Sequence, residues 1–432
     1  MKGKKINIIT MGCSKNLVDS ERLYKQLEAN GYSVVHDSND TSAKVVVINT
    51  CGFIGDAKEE SIDTILNFAH AKENGKIRHL FVMGCLSERY KKELQLEIPE
   101  VDEFFGVNNL EDIIHSIGGD LKTNLLGERT LTTPSHYAYL KISEGCNWGC
   151  SYCAIPLIRG KHVSIPMENL IKEAEFLASK GVKELLVIAQ DSTYYGLDIY
   201  GERKLGELLS RLSAIGGIEW IRLHYAYPTF FPNDVIDVIR NNKKLCKYID
   251  IPFQHISDKV LKKMRRGISK DETYALINKL KLEIPDIAIR TTLLVGHPGE
   301  TAAEFEELKE FVRTVKFDRL GVFPYSEEEG TYAALNFDDI ISEEIKQERV
   351  DEIMQIQAEI ALQKNIERVG KTMRVLSDRK EGEYYVGRTQ YDSPEVDQEV
   401  LIEANGIIKI GDFYDVEITS AEEFDLFGNI LL

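Results

Sequence analysis

The chain is organised around one short stretch, ISEGCNWGCSYC, at residues 142–153. It places Cys146, Cys150 and Cys153 at a C-x3-C-x2-C spacing, directly after a strand-like run that begins at Tyr137. A structural zinc site usually has four ligands, often as two C-x2-C pairs, and the neighbouring sequence holds no second pair. An iron–sulfur cube is normally held by four thiolates, so three would leave one iron with an open position. The spacing therefore favours metal chemistry over three ordinary loop cysteines.

This spacing resembles the cluster loop of the radical S-adenosylmethionine (SAM) enzymes. In that superfamily SAM chelates the open iron through its amino and carboxylate groups, and the resemblance implies reductive cleavage of SAM to a 5'-deoxyadenosyl radical. Tyr152 stands where the superfamily usually has an aromatic residue, which implies that its ring packs against the adenine. We therefore expect Cys146, Cys150 and Cys153 to hold a [4Fe-4S] cluster that binds SAM.

Composition narrows the class of protein. A chain of 432 residues is long enough for two or three domains, and no apolar run approaches the roughly 20 residues of a membrane-spanning helix. Met1 to Lys5 leads into a strand-like segment instead of a signal peptide, so we expect a cytoplasmic protein without a membrane segment. In a reducing compartment, seven cysteines favour metal binding over disulfides. A net charge of −17 argues against a chain that mainly grips phosphate backbones and permits a basic protein partner.

The first segment, residues 1–134, repeats one pattern three times: an apolar β-branched run, a cysteine and a helical stretch. Cys13, Cys51 and Cys85 end these runs. Val and Ile runs that alternate with helices indicate a parallel sheet covered on both faces, and such sheets collect ligands at the carboxyl ends of their strands. We therefore predict that the three thiols meet at one edge and hold a second cluster with its own open iron. Three structural cysteines in buried strands are the alternative.

The peptides around these cysteines resemble the N-terminal domain of the radical SAM methylthiotransferases. They read GCSKNLVDSE at residues 12–21 and NTCGFI at residues 49–54. In that family three such cysteines hold an auxiliary [4Fe-4S] cluster. A tRNA-modifying member would typically read GCQMN and NTCSVR at these places, so this sequence is more similar to the branch that modifies a ribosomal protein.

Strand-like and helical segments alternate from about residue 135 to about residue 337. Six such units are too few for a closed eight-stranded barrel and suit the open partial (βα)6 barrel that radical SAM enzymes share. A charged stretch from Ser342 to about Val369 has apolar residues at helical spacing and is predicted to be a long helix that completes this domain, residues 135–369. The strand candidates are residues 137–143, 184–189, 220–225, 248–253, 288–295 and 320–325.

Polar residues accompany these strands and are candidates for the SAM pocket. Gln190 and Asp191 fall where the superfamily presents groups to the SAM amino group and ribose, and Arg290 where a cation can meet the SAM carboxylate. Together with Tyr152 they form the predicted cofactor-binding set, although each is also a plausible loop residue or strand cap. We predict no catalytic side chain beyond the cluster ligands.

The sequence pattern changes in residues 370–432 to short predicted strands separated by glycines, which indicates a small antiparallel β-barrel. GRT at residues 387–389 and DLFG at residues 425–428 resemble the TRAM domain, which is best known as an RNA-binding module. This segment has six Lys or Arg against fourteen Asp or Glu, so we expect it to repel phosphate and to suit a basic partner. The strand candidates are residues 373–376, 384–386, 399–402, 407–410 and 413–418.

The resemblance to the methylthiotransferases covers three consecutive domains and is the basis of the predicted function. It implies a transferase that inserts sulfur at the β-carbon of an aspartate in small-subunit ribosomal protein S twelve and methylates it. The cofactors implied are two [4Fe-4S] clusters and SAM, with an external electron donor, and RNA contact is not expected to be the main mode of binding. A tRNA adenosine methylthiotransferase is one alternative, and a non-catalytic iron–sulfur carrier that binds ribosomes is another.

Overall fold

A parallel sheet forms the first unit of the computed structural model, which describes residues 5–38, 42–403 and 408–431. Its elements are β1 (Lys5–Thr10), α1 (Ser14–Ala29), β2 (Ser33–His36), β3 (Val45–Thr50), α2 (Gly55–Glu73), β4 (His79–Gly84), α3 (Cys85–Glu97), β5 (Glu103–Phe104) and α4 (Leu110–Ile117). The strand order is β2-β1-β3-β4-β5, and every residue of β3 is buried because helices cover both faces. The predicted parallel sheet is confirmed, and the sequence pattern missed only the short strands β2 and β5.

A second parallel sheet forms the central unit. Its elements are β6 (Tyr137–Lys141), β7 (Ser143–Glu144), α5 (Ile155–Ile158), β8 (Val163–Ser164), α6 (Met167–Ser179), β9 (Glu184–Ile188), α7 (Leu197–Tyr200), α8 (Leu205–Ser213), β10 (Trp220–Leu223), α9 (Asn233–Asn241), β11 (Leu245–Asp250), α10 (Asp258–Met264), α11 (Lys270–Glu283), β12 (Ala288–Val295), α12 (Ala302–Val315), β13 (Arg319–Pro324), α13 (Tyr332–Asn336) and α14 (Glu343–Ile366). Six strands pair in the order β13-β12-β11-β10-β9-β6, which confirms the open six-stranded arrangement. The predicted long helix is α14, whose first turn is capped by the Ser342 side chain.

The two faces of this sheet have different neighbours. Leu185 and Val187 belong to the large apolar core shared with the surrounding helices. Between them in the strand, Leu186 packs with Tyr137 and Tyr139 in a separate cluster that includes residues of α1. Because side chains alternate along a strand, the second cluster lies on the inner face of the sheet. Other units of the chain therefore cover the inner face, whereas the helices of the central unit cover the opposite face.

The C-terminal unit is a closed five-stranded barrel. Its strands are β14 (Thr372–Glu381), β15 (Tyr384–Thr389), β16 (Glu399–Glu403), β17 (Phe413–Ala421) and β18 (Asp425–Ile430). The order is β14-β15-β16-β18-β17, and the pairs are antiparallel except for β16 with β18. Of the predicted strand 407–410, Ile407 lies outside the described residues and residues 408–410 are not a strand. The fifth strand is instead β18, which contains the DLFG peptide.

The segment between β15 and β16, residues 390–398, inserts against the inner face of the central sheet, and we call it the barrel plug. The Asp397 carboxylate lies 3.3 Å from Arg290 Nε, and Ser393 Oγ lies 3.0 Å from His224 Nε2. These contacts join the C-terminal barrel to the strands of the central sheet. Among the described residues no helix is long and apolar enough to span a bilayer.

Ion pairs with the central unit take some acidic side chains of the C-terminal unit away from its outer surface. Asp378, Asp392 and Asp397 are bonded to His136, Arg319 and Arg290, respectively, and their side chains are largely buried. Glu395 accepts from the Tyr137 hydroxyl and remains exposed. Arg388 of the same unit is buried against Glu184, so acidic residues still outnumber basic ones among those that remain.

Candidate functional site

The C-x3-C-x2-C stretch forms a loop enclosed by the short antiparallel pair β7 and β8. Gly145 begins the loop with φ +74°, and a Cβ there would lie 2.1 Å from the Lys161 carbonyl oxygen, so the close approach of the two chain segments requires glycine. The Trp148 ring stacks on Tyr227 with centroids 4.0 Å apart, and its Nε1 donates to Asp191 Oδ2 at 2.6 Å. The loop is therefore fixed to the ends of β9 and β10.

The three loop thiols are close neighbours. Burial, together with the charge of Cys150, raises the pKa of Cys146 to about 12 and that of Cys153 to about 12. Cys150 Sγ lies 3.5 Å from Arg266 Nη1 and 3.6 Å from the Tyr227 hydroxyl. Binding of a positively charged metal centre to thiolates would relieve this mutual repulsion and release their protons. Three thiols with nearby donors to sulfur fit the ligand set of an iron–sulfur cluster.

The second trio assembles from three strand ends. Cys13 follows β1, Cys51 follows β3 and Cys85 follows β4, so all three lie at the carboxyl edge of the first sheet, as predicted. Gly12 has φ +87°, and a Cβ there would lie 2.7 Å from Cys51 Cβ and 2.9 Å from Cys51 Sγ. Only glycine therefore lets the first cysteine loop approach the second. Gly84 likewise has φ +101°, with its Cβ position 2.6 Å from the Thr50 carbonyl oxygen.

These thiols differ in environment. Burial raises the pKa of the Cys51 thiol and brings that of Cys85 to about 11. Burial also opposes ionisation of Cys13, but the charges of Lys15 and Arg159 and the adjacent backbone N–H groups outweigh it and lower the pKa. Cys13 is the solvent-exposed member of this trio, whereas Cys85 is buried. Cys13 is thus the member of this trio best prepared to be a thiolate.

A buried ionic cluster joins the two trios. Arg159 donates to Cys85 Sγ at 3.3 Å and to Asn16 Oδ1 at 2.5 Å, while its other terminal nitrogen donates to Glu144 Oε1 at 2.7 Å. Burial alone would raise the pKa of the Glu144 carboxyl, but Lys141 and Arg159 hold it well below its usual range. Because Glu144 closely precedes the loop cysteines, this cluster couples the position of the loop to that of the auxiliary trio.

The predicted SAM residues fall into two groups. Tyr152 lies in the cysteine loop, with its hydroxyl 3.5 Å from Arg266 Nη1. Gln190 and Asp191 follow β9 beside the loop; Gln190 Nε2 donates to Glu144, and its buried Oε1 has no partner among the described residues. Arg290 is instead bonded to Asp250 and Asp397 at the barrel plug, at 3.2 and 3.3 Å. Tyr152 therefore lies in the cysteine loop and Gln190 and Asp191 beside it, whereas Arg290 has no contact with the described residues of the loop.

Sequence reasoning missed the residues that support both trios. Arg159, Arg266 and Tyr227 each contact a cysteine sulfur, yet none lies in a cysteine motif. Only their position behind the cysteine loop or after a strand hinted at a role, because isolated Arg and Tyr residues are common in loops. Among the described residues, no three His, Cys, Asp or Glu side chains are close enough to hold a single metal ion, so neither trio is arranged as a one-ion site.

Family comparisons match all three units. The model of the radical SAM superfamily matches residues 140–312, and the model of the TRAM domain matches residues 369–431. The first unit matches a family described only as uncharacterized protein family UPF0004, over residues 5–106.

Full-length relatives are also similar. The chain is 60% identical to the ribosomal protein uS12 methylthiotransferase RimO of Phocaeicola vulgatus, with 100% of both chains covered. It is 59% identical to the protein of that name from Bacteroides fragilis, again with 100% of both chains covered. It is 55% identical to the one from Cytophaga hutchinsonii, over 99% of this chain and 98% of the relative.

Solved structures share the fold at low sequence identity. The radical S-adenosylmethionine methyltransferase TsrM from Kitasatospora setae superposes with a TM-score of 0.54 at 15% identity, over 77% of this chain and 74% of that chain. The cobalamin-dependent S-adenosylmethionine radical enzyme OxsB gives a TM-score of 0.52 at 12% identity, over 82% of this chain and 56% of that chain. These two likenesses concern the fold alone.

Proposed function

Because this chain belongs to the RimO family of ribosomal protein uS12 methylthiotransferases, we propose that its two cysteine trios divide the work of that reaction. The chain is a radical SAM methylthiotransferase that uses SAM and [4Fe-4S] clusters and modifies ribosomal protein uS12. The tRNA and non-catalytic alternatives are set aside, because the full-length relatives carry the uS12 name. What remains to be proposed is the role of each residue.

We assign the radical-generating cluster to Cys146, Cys150 and Cys153 and the auxiliary cluster to Cys13, Cys51 and Cys85. When bound, the first cluster supplies the electron that cleaves SAM, and the second supplies an open iron for the sulfur to be inserted. The single observation that carries this assignment is that both trios are gathered at strand carboxyl ends and are joined by Arg159 and Glu144. Sulfur insertion requires the substrate carbon to reach both sites, and this connection keeps them adjacent.

The surrounding side chains hold the loop and exclude water. Both Asp191 oxygens are used, one by Trp148 Nε1 and the other by the backbone and side chain of Thr193, so Asp191 orients the loop. Gln190 Oε1 is buried without a partner in the described chain, which supports the proposal that it accepts from the SAM amino group. Tyr152 supplies the ring against the adenine. The SAM role of Arg290 remains a prediction, and its recorded bonds favour a role in seating the barrel plug.

We take the modified residue to be an aspartate of uS12, either free or within the small subunit, with electrons from an external donor. The reaction belongs in the cytoplasm, where ribosomal proteins are used. In this proposal residues 1–134 carry the auxiliary site, residues 135–369 carry the SAM site, and residues 370–432 seat the plug and contact the substrate.

The first test is anaerobic reconstitution with iron and sulfide, followed by incubation with SAM, a reductant and purified uS12. We expect about eight iron and eight sulfide per chain, as two four-iron cubes require. We also expect deoxyadenosine and a uS12 product heavier by one methylthio group at a single aspartate. About four iron per chain would leave a single cluster, and modification of tRNA instead of uS12 would overturn the substrate assignment.

A further inference from the structure

Lys15 stands out among the buried charges of this molecule. It lies two residues after Cys13, in the first turn of α1, and only 7% of the residue is exposed. Its ammonium lies 3.1 Å from the centroid of the Tyr225 ring. Within the described part of the chain, no carboxylate comes within 4.0 Å of this nitrogen and no hydrogen bond to it is recorded. Apart from its charge interaction with Cys13, the contact of this cation among the described residues is with an aromatic face.

The other buried lysines behave differently. The described residues contain four buried lysines, and Lys141, Lys309 and Lys346 each have a carboxylate partner. Burying a charge is costly unless it is paired, which explains why these three are bonded to acids. A cation–π contact compensates only part of that cost. Lys15 is thus the one of these four lysines that has no carboxylate partner in the described chain, although its charge also lowers the pKa of Cys13.

The position of Lys15 relates it to the reaction. It is the second residue of α1, the helix that follows the auxiliary cysteine Cys13, and its side chain reaches Tyr225, just after β10 at the carboxyl edge of the central sheet. Tyr225 has φ +56°, an uncommon conformation for a tyrosine, and its N–H donates to Asp250 Oδ2 at 3.3 Å. The cation therefore lies between the auxiliary cysteines and the carboxyl ends of the strands of the central sheet.

We propose that Lys15 binds the side-chain carboxylate of the substrate aspartate and determines that the enzyme modifies aspartate. This inference rests on the proposed function, in which the β-carbon of an aspartate receives the sulfur. That carbon is bonded directly to the carboxylate, so anchoring the carboxylate to Lys15 places the reacting carbon beside Cys13. The same contact supplies the carboxylate partner that the buried ammonium lacks in the described chain.

The test compares two substrates with matched variants. uS12 is prepared with its target aspartate or with asparagine at that position, and kcat/KM is measured for the wild type and for Lys15→Met. We expect the wild type to prefer aspartate strongly and Lys15→Met to lose at least about tenfold on aspartate, because it leaves the substrate carboxylate buried and unpaired. Activity on asparagine should change much less, so the preference should shrink. Lys15→Arg, which keeps the cation, should retain part of the preference for aspartate.

Lys25→Met is the matched control, since Lys25 lies on the same helix and pairs with Glu128 at the surface side, 3.4 Å away. It should leave the aspartate preference unchanged. Formation of deoxyadenosine without substrate should be the same in all variants, which separates this inference from failure of the proposed function. An unchanged aspartate preference in Lys15→Met would overturn the proposal. Loss of iron from both Lys15→Met and Lys15→Gln, with retention in Lys15→Arg, would overturn it in favour of a structural charge beside Cys13.

Discussion

The two cysteine trios reach similar ligand sets by different routes. The loop trio spans only residues 146–153 and is enclosed by one short strand pair, whereas the auxiliary trio draws on three strand ends between residues 13 and 85. The first depends on local chain geometry, and the second depends on the register of a whole sheet. A cluster site formed by one loop should be lost only when one of its own ligands is replaced. A cluster site formed by several strand ends should also be lost when packing elsewhere in the sheet changes.

The largest effects should come from the cysteines themselves. Replacing Cys146, Cys150 and Cys153 with Ala should remove about half of the iron and abolish deoxyadenosine formation, because SAM loses its open iron. Replacing Cys13, Cys51 and Cys85 with Ala should remove the other half, keep deoxyadenosine formation and stop methylthiolation of uS12. Iron analysis and chromatography of the nucleoside products measure both outcomes.

Cys246→Ala is the control, because this buried cysteine belongs to neither trio and should keep both clusters and full activity. Deoxyadenosine formation by the triple variant of the loop would refute the assignment of the SAM site. Loss of deoxyadenosine formation in the auxiliary variant would show instead that the auxiliary trio supports the fold of the loop.

An intermediate effect is expected from glycines adjacent to the cysteines. Gly12→Ala places a Cβ 2.7 Å from Cys51 Cβ and requires φ +87°, which costs ~1–2 kcal/mol for the backbone alone. Gly149→Ala, beside Cys150, meets nothing within 4 Å. We therefore expect Gly12→Ala to lose part of the auxiliary iron and part of the methylthiolation activity while keeping deoxyadenosine formation, and Gly149→Ala to keep both clusters. Equal iron contents in the two variants would show that the close packing of the auxiliary loops is not needed for cluster binding.

The same contrast explains what the sequence could and could not predict. The six cysteines and six central strands were readable because spacing and apolar runs are local signals. The bond from Arg159 to Cys85 joins residues 74 positions apart, and no periodicity encodes it. The barrel plug was also missed, because the sequence of residues 390–398 is that of a polar loop. Its role becomes visible only from its packing against the inner face of the central sheet.

The smallest effects should come from the two arginines that bond to sulfur, and they sharpen the comparison further. Arg159 donates to Cys85 at 3.3 Å and Arg266 to Cys150 at 3.5 Å. Glu144 and Asp19 lie within ion-pair distance of Arg159, whereas Arg266 has no carboxylate within 4.0 Å in the described chain. Nearby positive charge and hydrogen bonds to sulfur stabilise a reduced cluster. Because its charge is uncompensated, Arg266 should influence its cluster more strongly than Arg159.

We therefore expect Arg266→Gln to lower the reduction potential of the loop cluster by about 59 mV, a tenfold change for one electron. Arg159→Gln should lower that of the auxiliary cluster by less than half as much. Each potential is measured by titration followed by electron paramagnetic resonance, in variants that hold one cluster only. Arg129→Gln is the control, because Arg129 is equally buried but pairs with Glu21 and Glu173. Equal shifts at the two clusters would mean that the acids beside Arg159 do not screen its charge, and that the two trios are electrostatically alike despite their different construction.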